Sequence, residues 1–223
     1  MTTPTRDWIN QARQDRSRET EDAIIAAATA LMAERPFDQI SVAEIAQRAG
    51  VSVGGFYARF KNKGALLHLL DEHFLVDTRA AFDEALGPNR MAGAGAAEVV
   101  AAYVGVMITK FRQHRREILQ VMRGARAAAA GQGGQGFGER ARRFNDHVHG
   151  RLRTLLLERR SEIRHPDPEL AINLGLFFAS ASAREAVLSE SLRVYPVQID
   201  DDRLAREITR AWLAFLDVPS PEP

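Results

Sequence analysis

The sequence predicts an all-α protein of about nine helices, on three observations. Apolar residues recur at three- and four-residue intervals along nearly the whole chain. The strict alternation that marks strands is missing. Cap and breaker residues stand where the periodic runs begin and end.

Length and composition set the outer limits. The 223 residues suit one large domain or two modest ones. Hydrophobic residues make up 45% and charged residues 26%, an ordinary globular balance. With no cysteine, a disulfide scaffold, cysteine zinc sites and thiol catalysis are excluded, and a reducing cytoplasm is the expected compartment. Met1 to Arg18 is polar and lacks the apolar centre of a signal peptide. No stretch reaches the roughly 18 uncharged apolar residues of a membrane span; the richest, Leu170 to Ala183, is too short and carries Asn173.

The net charge is only +1, but its distribution is uneven. Ile45 to Leu70 holds four basic residues (Arg48, Arg59, Lys61, Lys63) and no acid, whereas His165 to Pro223 holds five basic and ten acidic residues. A local positive patch on a near-neutral chain suits phosphate contact at one end.

The elements follow in order. Residues 1–17 are expected to form a flexible arm, and Arg6, Arg13, Arg16 and Arg18 to serve either in a minor-groove arm or in a solvated tail. A helix from Arg18 to Ala33 sets Ile24, Ala28, Leu31 and Met32 on one face, and Arg35-Pro36 ends it. Ser41-Val42-Ala43-Glu44 is a capping box that opens a short second helix. Gly50-Val51-Ser52 separates it from a third helix reaching Phe60, and Lys61 to Gly64 precedes a long fourth helix ending near Gly87-Pro88. Gly87 to Gly95 is expected as a loop. Val99, Tyr103, Met107 and Phe111 mark the next helix, and a further one is expected near Glu117 to Ala130. Gly131 to Gly138 (GQGGQGFG) is read as a flexible hinge, not a phosphate cradle. Phe144, Val148, Leu152 and Leu155 give another amphipathic stripe. Asp167-Pro168-Glu169 caps a helix to about Leu192. Asp200 to Asp202 caps a last helix carrying Leu204, Ile208, Ala211, Trp212 and Phe215, and residues 218–223 are expected as a disordered tail.

The densest constellation is Ser41 to Lys63. Two short helices that cross steeply need a small residue where they touch, and Ala46 supplies it. Four residues later the turn needs a positive φ, which Gly50 allows at low cost. Ile45, Val51, Phe56 and Phe60 lock the second helix of the pair against the first, leaving its polar side outward, where a major groove would lie. Ser41, Ser52, Tyr57 and Lys63 are each able to reach a phosphate, and Lys61 adds to the basic cluster.

The segment ISVAEIAQRAGVSVGGFYARFKNKGALL resembles the signature of the TetR family of transcriptional regulators, matching it in the Gly-Val-Ser turn, Phe56-Tyr57, Phe60, Lys61-Asn62-Lys63 and Leu66-Leu67. The resemblance covers about residues 18–70; beyond them only length and helix count agree. It implies a helix-turn-helix DNA-binding domain over 18–66 and a helical ligand-binding and dimerisation domain over 67–217. It also implies phosphate contacts from Ser41, Tyr57 and Lys63 and base reading by Val53, Gly54, Gly55 and Arg59. The two glycines depart from the usual pattern of a polar residue or proline followed by Ser or Thr. They cost about 1 kcal/mol each in helix propensity and offer no side chain to a base, leaving Val53 for a thymine methyl and Arg59 for guanine.

The family further implies a homodimer through residues 169–192 and 202–216, a palindromic operator and an unidentified small-molecule effector. The candidates for lining an effector pocket are Phe74, Tyr103, Met107, Phe111, Met122, Arg126, Phe144, His147, Asn173 and Phe177. The Gly131 to Gly138 loop is expected to gate it. His147 and His149 lack metal-ligand spacing, so no metal is expected, and no cofactor or catalytic constellation is read. The expected function is a sequence-specific DNA-binding regulator, a homodimeric repressor released by its effector. The alternatives are an all-α enzyme or a protein-interaction module containing the same motif, and the acid-free basic stretch from Ile45 to Leu70 favours DNA over both.

Overall fold

The computed structural model describes residues 7–115, 118–119, 136–189 and 198–218. Every regular element among them is helical. The chain divides into two compact units, Met1–His73 and Phe74–Pro223.

The first unit holds α1 (Asp7–Glu34), a 3-10 turn (Phe37–Gln39), α2 (Val42–Arg48), α3 (Val53–Tyr57) and the start of α4 (Lys63–Ala85). Its core takes Ile24, Ala28, Leu31 and Met32 from α1, the face that their spacing predicts, together with Ile45, Ala46, Phe56, Phe60, Leu66 and Leu70. The expected flexible arm is corrected: α1 begins at Asp7, not Arg18. Residues 7–17 lack an apolar stripe, but they also lack glycine and proline. A helix already nucleated by its packed half extends through good helix formers at little cost. Arg13, Arg16 and Arg18 therefore sit on a helix, and Arg6 lies outside the described residues. The core also runs beyond residue 66, because Leu66 and Leu70 draw the opening turns of α4 into this unit.

The second unit holds the rest of α4, then α5 (Pro88–Met91), α6 (Ala96–Gln113), α7 (Gly136–Glu158), a 3-10 turn (Arg160–Glu162), α8 (Pro168–Val187) and α9 (Asp201–Leu216). Asp167 caps α8 through the Leu170 amide and Asp200 caps α9 through the Arg203 amide, as the sequence predicts. The α9 helix packs on both α6 and α8. At Gly175 the approach is so close that a Cβ would stand 1.8 Å from Trp212 Nε1. Trp212 in turn meets Tyr103 edge-on, ring centroids 6.0 Å apart.

Two expected loops are corrected in this unit. Gly87 to Gly95 contains the one-turn α5, started by Pro88 at its first position. Arg159 then secures the segment, donating to the Met91 and Ala94 carbonyls at 2.8 and 2.5 Å. Gly136 to Gly138 open α7 in helical geometry, so this end of the expected hinge is helix. Its remaining residues, 131–135, lie outside the described residues, as do most of the helix expected near Glu117 to Ala130 and the tail from 219 onward.

Candidate nucleic-acid interface

The turn that presents α3 is built by local chemistry. The capping box at Ser41 is complete: Ser41 accepts from the Glu44 amide at 3.2 Å, and Glu44 Oε2 accepts from the Ser41 amide at 2.8 Å and its hydroxyl at 2.7 Å. Arg35 pairs with the same carboxylate at 2.5 Å. The Ser41 amide, then its hydroxyl, then Arg35 hold the Glu44 carboxyl down to about 2. Gly50 takes a φ of 69°, the left-handed geometry that a side chain would resist. Val51 then donates to the Ala46 carbonyl at 2.9 Å, bringing the two short helices together over buried Ala46.

Ser52 caps α3 by accepting from the Gly55 amide at 2.9 Å. Phe56 is fully buried and packs against Phe60, ring centroids 5.4 Å apart. Val53 and Tyr57, four residues apart and thus on one side of the helix, are 44% and 54% exposed. The helix consequently turns an apolar wall and a phenol outward while its aromatic anchor faces inward. Gly54 leaves open space: a Cβ there would meet only Ser52 Oγ, at 3.8 Å. At Gly55 the same atom would be 3.3 Å away, so the cap itself limits what that position can hold.

Two site residues sit differently from expectation. Arg59 is not on α3, which ends at Tyr57; it follows the helix and donates from Nε to the Ser17 carbonyl at 3.3 Å. Two glycines within five residues leave too little helical drive to carry α3 farther. Lys63 opens α4, as expected, but its ammonium turns back to the Ile40 and Asp38 carbonyls at 2.6 and 3.2 Å, 4.8 Å from the centre of the Phe37 ring. Burial lowers its pKa, with Asp38 and Glu44 opposing. Lys61 is exposed. Asn62, absent from the sequence-predicted site, caps α4 by accepting from the Ala65 amide at 2.8 Å; an Asn directly before a long apolar-periodic run is the signal that could have found it.

The described candidates for an effector pocket divide between one core and the surface. Tyr103 and Met107 are buried in the second core, and Phe74, Phe111 and Phe144 pack against it. Burial pushes the Tyr103 hydroxyl up to about 12, with Ser180 opposing. His147 instead meets Asp83 at 2.6 Å at the surface. Asn173 and Phe177 are corrected as pocket residues: Asn173 is exposed and donates to the Glu169 carbonyl at 2.9 Å, and Phe177 is 60% exposed. Both lie on the side of α8 opposite Ala171, Ile172, Gly175 and Ala179, which face the core. Met122 and Arg126 lie outside the described residues. An open groove of about 440 Å³ between α6 and α9 is lined by Ala101, Arg206, Thr209 and Leu213 among others, and by none of these candidates.

The same two-sidedness bears on self-association. Leu170, Phe177 and Phe178 of α8 are exposed, whereas Leu204, Ile208 and Trp212 of α9 are buried in their own unit. Among the described residues no helix is long and apolar enough to cross a membrane.

The sequence profile of bacterial regulatory proteins of the tetR family matches residues 24–70, the stretch from α1 through the opening of α4. Over that stretch the chain carries a TetR-type segment. A 107-residue stretch is 30% identical to the uncharacterized HTH-type transcriptional regulator YerO of Bacillus subtilis; that match covers 47% of this chain and 35% of YerO. The chain thus spans about a third of that relative's length. The fold extends the TetR likeness further. PfmR of Thermus thermophilus superposes with a TM-score of 0.61 at 20% identity, covering 86% of this chain and 97% of that one. FadR of Bacillus subtilis, in a complex with stearoyl-CoA, gives 0.63 at 19% identity over 86% and 97%. All-helical architecture with an N-terminal helix-turn-helix is therefore common to this chain and its structural neighbours.

Proposed function

We propose that this chain is a cytoplasmic homodimeric repressor of the TetR family that binds a palindromic double-stranded DNA operator and is released from it by a small-molecule effector. The observation that carries the DNA reading is the exposed Val53–Tyr57 side of a capped α3 whose reverse is fixed by buried Phe56. A helix held rigidly from behind and bare in front is what major-groove recognition requires. On this reading Val53 meets a thymine methyl, Gly54 and Gly55 admit the duplex close to the helix backbone, and Ser41, Ser52, Tyr57 and Lys61 meet phosphates. Arg59, beyond the end of α3, is an outer contact.

Dimerisation through residues 169–192 and 202–216 is supported by the exposed Leu170, Phe177 and Phe178, an apolar face suited to a two-fold interface. The effector reading rests on analogy with fold relatives such as the FadR complex with stearoyl-CoA. An apolar effector would seat among the aromatic groups of the second unit, around Tyr103 and Met107.

Selection of bound sequences from random DNA tests the central reading. An inverted repeat whose half-sites lie about one helical turn apart is the expected product; a pool with no enriched sequence rejects it. A stable monomer in equilibrium sedimentation rejects the dimer, and operator affinity unchanged across a hydrophobic compound library rejects the effector.

A further inference from the structure

We propose that the groove between α6 and α9 is a binding site for a small amphiphilic monocarboxylate, one carboxylate on a short apolar body. The groove holds about 440 Å³, within the range of small-molecule sites. Two rows of α9 side chains shape it. Ala205, Thr209 and Leu213, spaced by four residues and half-buried, form the floor with Ala101 of α6. Asp202, Arg206 and Arg210, spaced in the same way and exposed, form the rim. None of these residues is among the buried core around Tyr103 and Met107, so the site is separate from the proposed effector region and independent of that reading.

Arg112, in the last turn of α6, pairs with Asp201, in the first turn of α9, at 2.5 Å. The two helices therefore run antiparallel, and Ala101, about 16 Å back along α6, falls at the Leu213 end. That end of the floor is the apolar one. The charges on the rim select the rest of the ligand. Arg210 already pairs with Glu207. Arg206 has no acid partner among the described residues, and the Thr209 hydroxyl has no hydrogen bond among them. A guanidinium and a carboxylate match edge to edge through two parallel bonds, and Thr209, three residues on, offers a further donor on the same side of the helix. One exposed arginine holds an anion only weakly in water. Burial of an apolar body on Ala101, Ala205 and Leu213 supplies the remaining attraction. Asp202, one turn before Arg206 on the rim, repels a second negative charge, which disfavours a dicarboxylate.

Octanoate is the probe, titrated calorimetrically into the full chain. Wild type binds it saturably at one site, with half-saturation below about 10 mM, and binds octanol and the dicarboxylate suberate at least tenfold more weakly. R206A weakens octanoate at least tenfold. A101F, which fills the floor from α6, does the same without altering any charge. Both positions are exposed, so the variants keep the circular dichroism of wild type, and R206A alone decides the question if A101F does not fold. Octanoate bound with wild-type affinity by R206A, or by a folded A101F, overturns the proposal. So does octanol held as tightly as octanoate, or a wild type that shows no saturation.

Discussion

The two units hold their helices in different ways. In the first, α2 and α3 have only seven and five residues, far below the length at which a helix persists unaided. Their stability depends on what happens at their ends: Ser41 with Glu44, Ser52, Asn62 and Lys63 each close an otherwise unmet backbone group. In the second unit α6, α7, α8 and α9 have 16 to 23 residues, and burial does the holding. That core keeps a tryptophan packed on a glycine and tolerates buried polar atoms without a partner at Thr78 Oγ1 and Trp212 Nε1. The contrast teaches that a short recognition element is defended by polar chemistry at its ends, and a long-helix unit by fit between its sides.

Removing an anchor gives the largest expected effect. Phe56→Ala deletes a fully buried ring under α3 and is expected to destabilise the first unit by about 3–5 kcal/mol, measured by urea unfolding. Little change would mean that the caps alone hold α3. In the second unit, Gly175→Val forces a side chain into the space of Trp212 and is expected to cost about 3 kcal/mol; a variant as stable as wild type would show that the α8–α9 contact can slide. Ser41→Ala sharpens the contrast from the other side, with an expected loss of about 1 kcal/mol in thermal denaturation. Gly54→Ala should instead stabilise the free protein by up to about 1 kcal/mol, because the position is helical and open; a lower melting temperature would expose a constraint on α3 that its contacts do not show.

The smallest effect is a pH dependence. The Glu44 carboxyl is held at about 2 in the folded protein, below its ordinary 4.5. A depressed carboxylate stabilises fully above the unfolded value and loses that contribution as pH falls through the folded one. The melting-temperature gap between wild type and Glu44→Gln should therefore be constant above about pH 5 and close between about pH 4.5 and 2. A gap that persists unchanged at the acid end would show that the carboxylate charge is not what makes the capping box.

These differences explain what the sequence discloses. End-capping is written in adjacent residues, so Ser41-x-x-Glu44, Gly50 and Asp167-Pro168 are legible, and with them the helix-turn-helix. Burial between long helices is not local. Phe177 and Tyr103 look alike as members of apolar stripes, yet one faces out and the other is enclosed, because each stripe is wide enough to serve two sides. The start of α1 is hidden for a related reason: residues 7–17 carry propensity without periodicity, and periodicity is the stronger signal. Lys63 is legible as basic and first in its helix. The turn of its ammonium toward Ile40 is not, since that depends on a residue 23 positions away.

The packing of Trp212 on Gly175 equips the second unit with an optical reporter. The chain has two tryptophans, of which Trp8 belongs to the first unit. With Trp8 replaced by phenylalanine, all indole fluorescence would arise from a ring enclosed between α6, α8 and α9. Its emission would stay at short wavelength while those helices remain closed and shift to the red as water reaches the ring. One dye-free signal would then follow the second unit through unfolding or compound binding while the first is left dark.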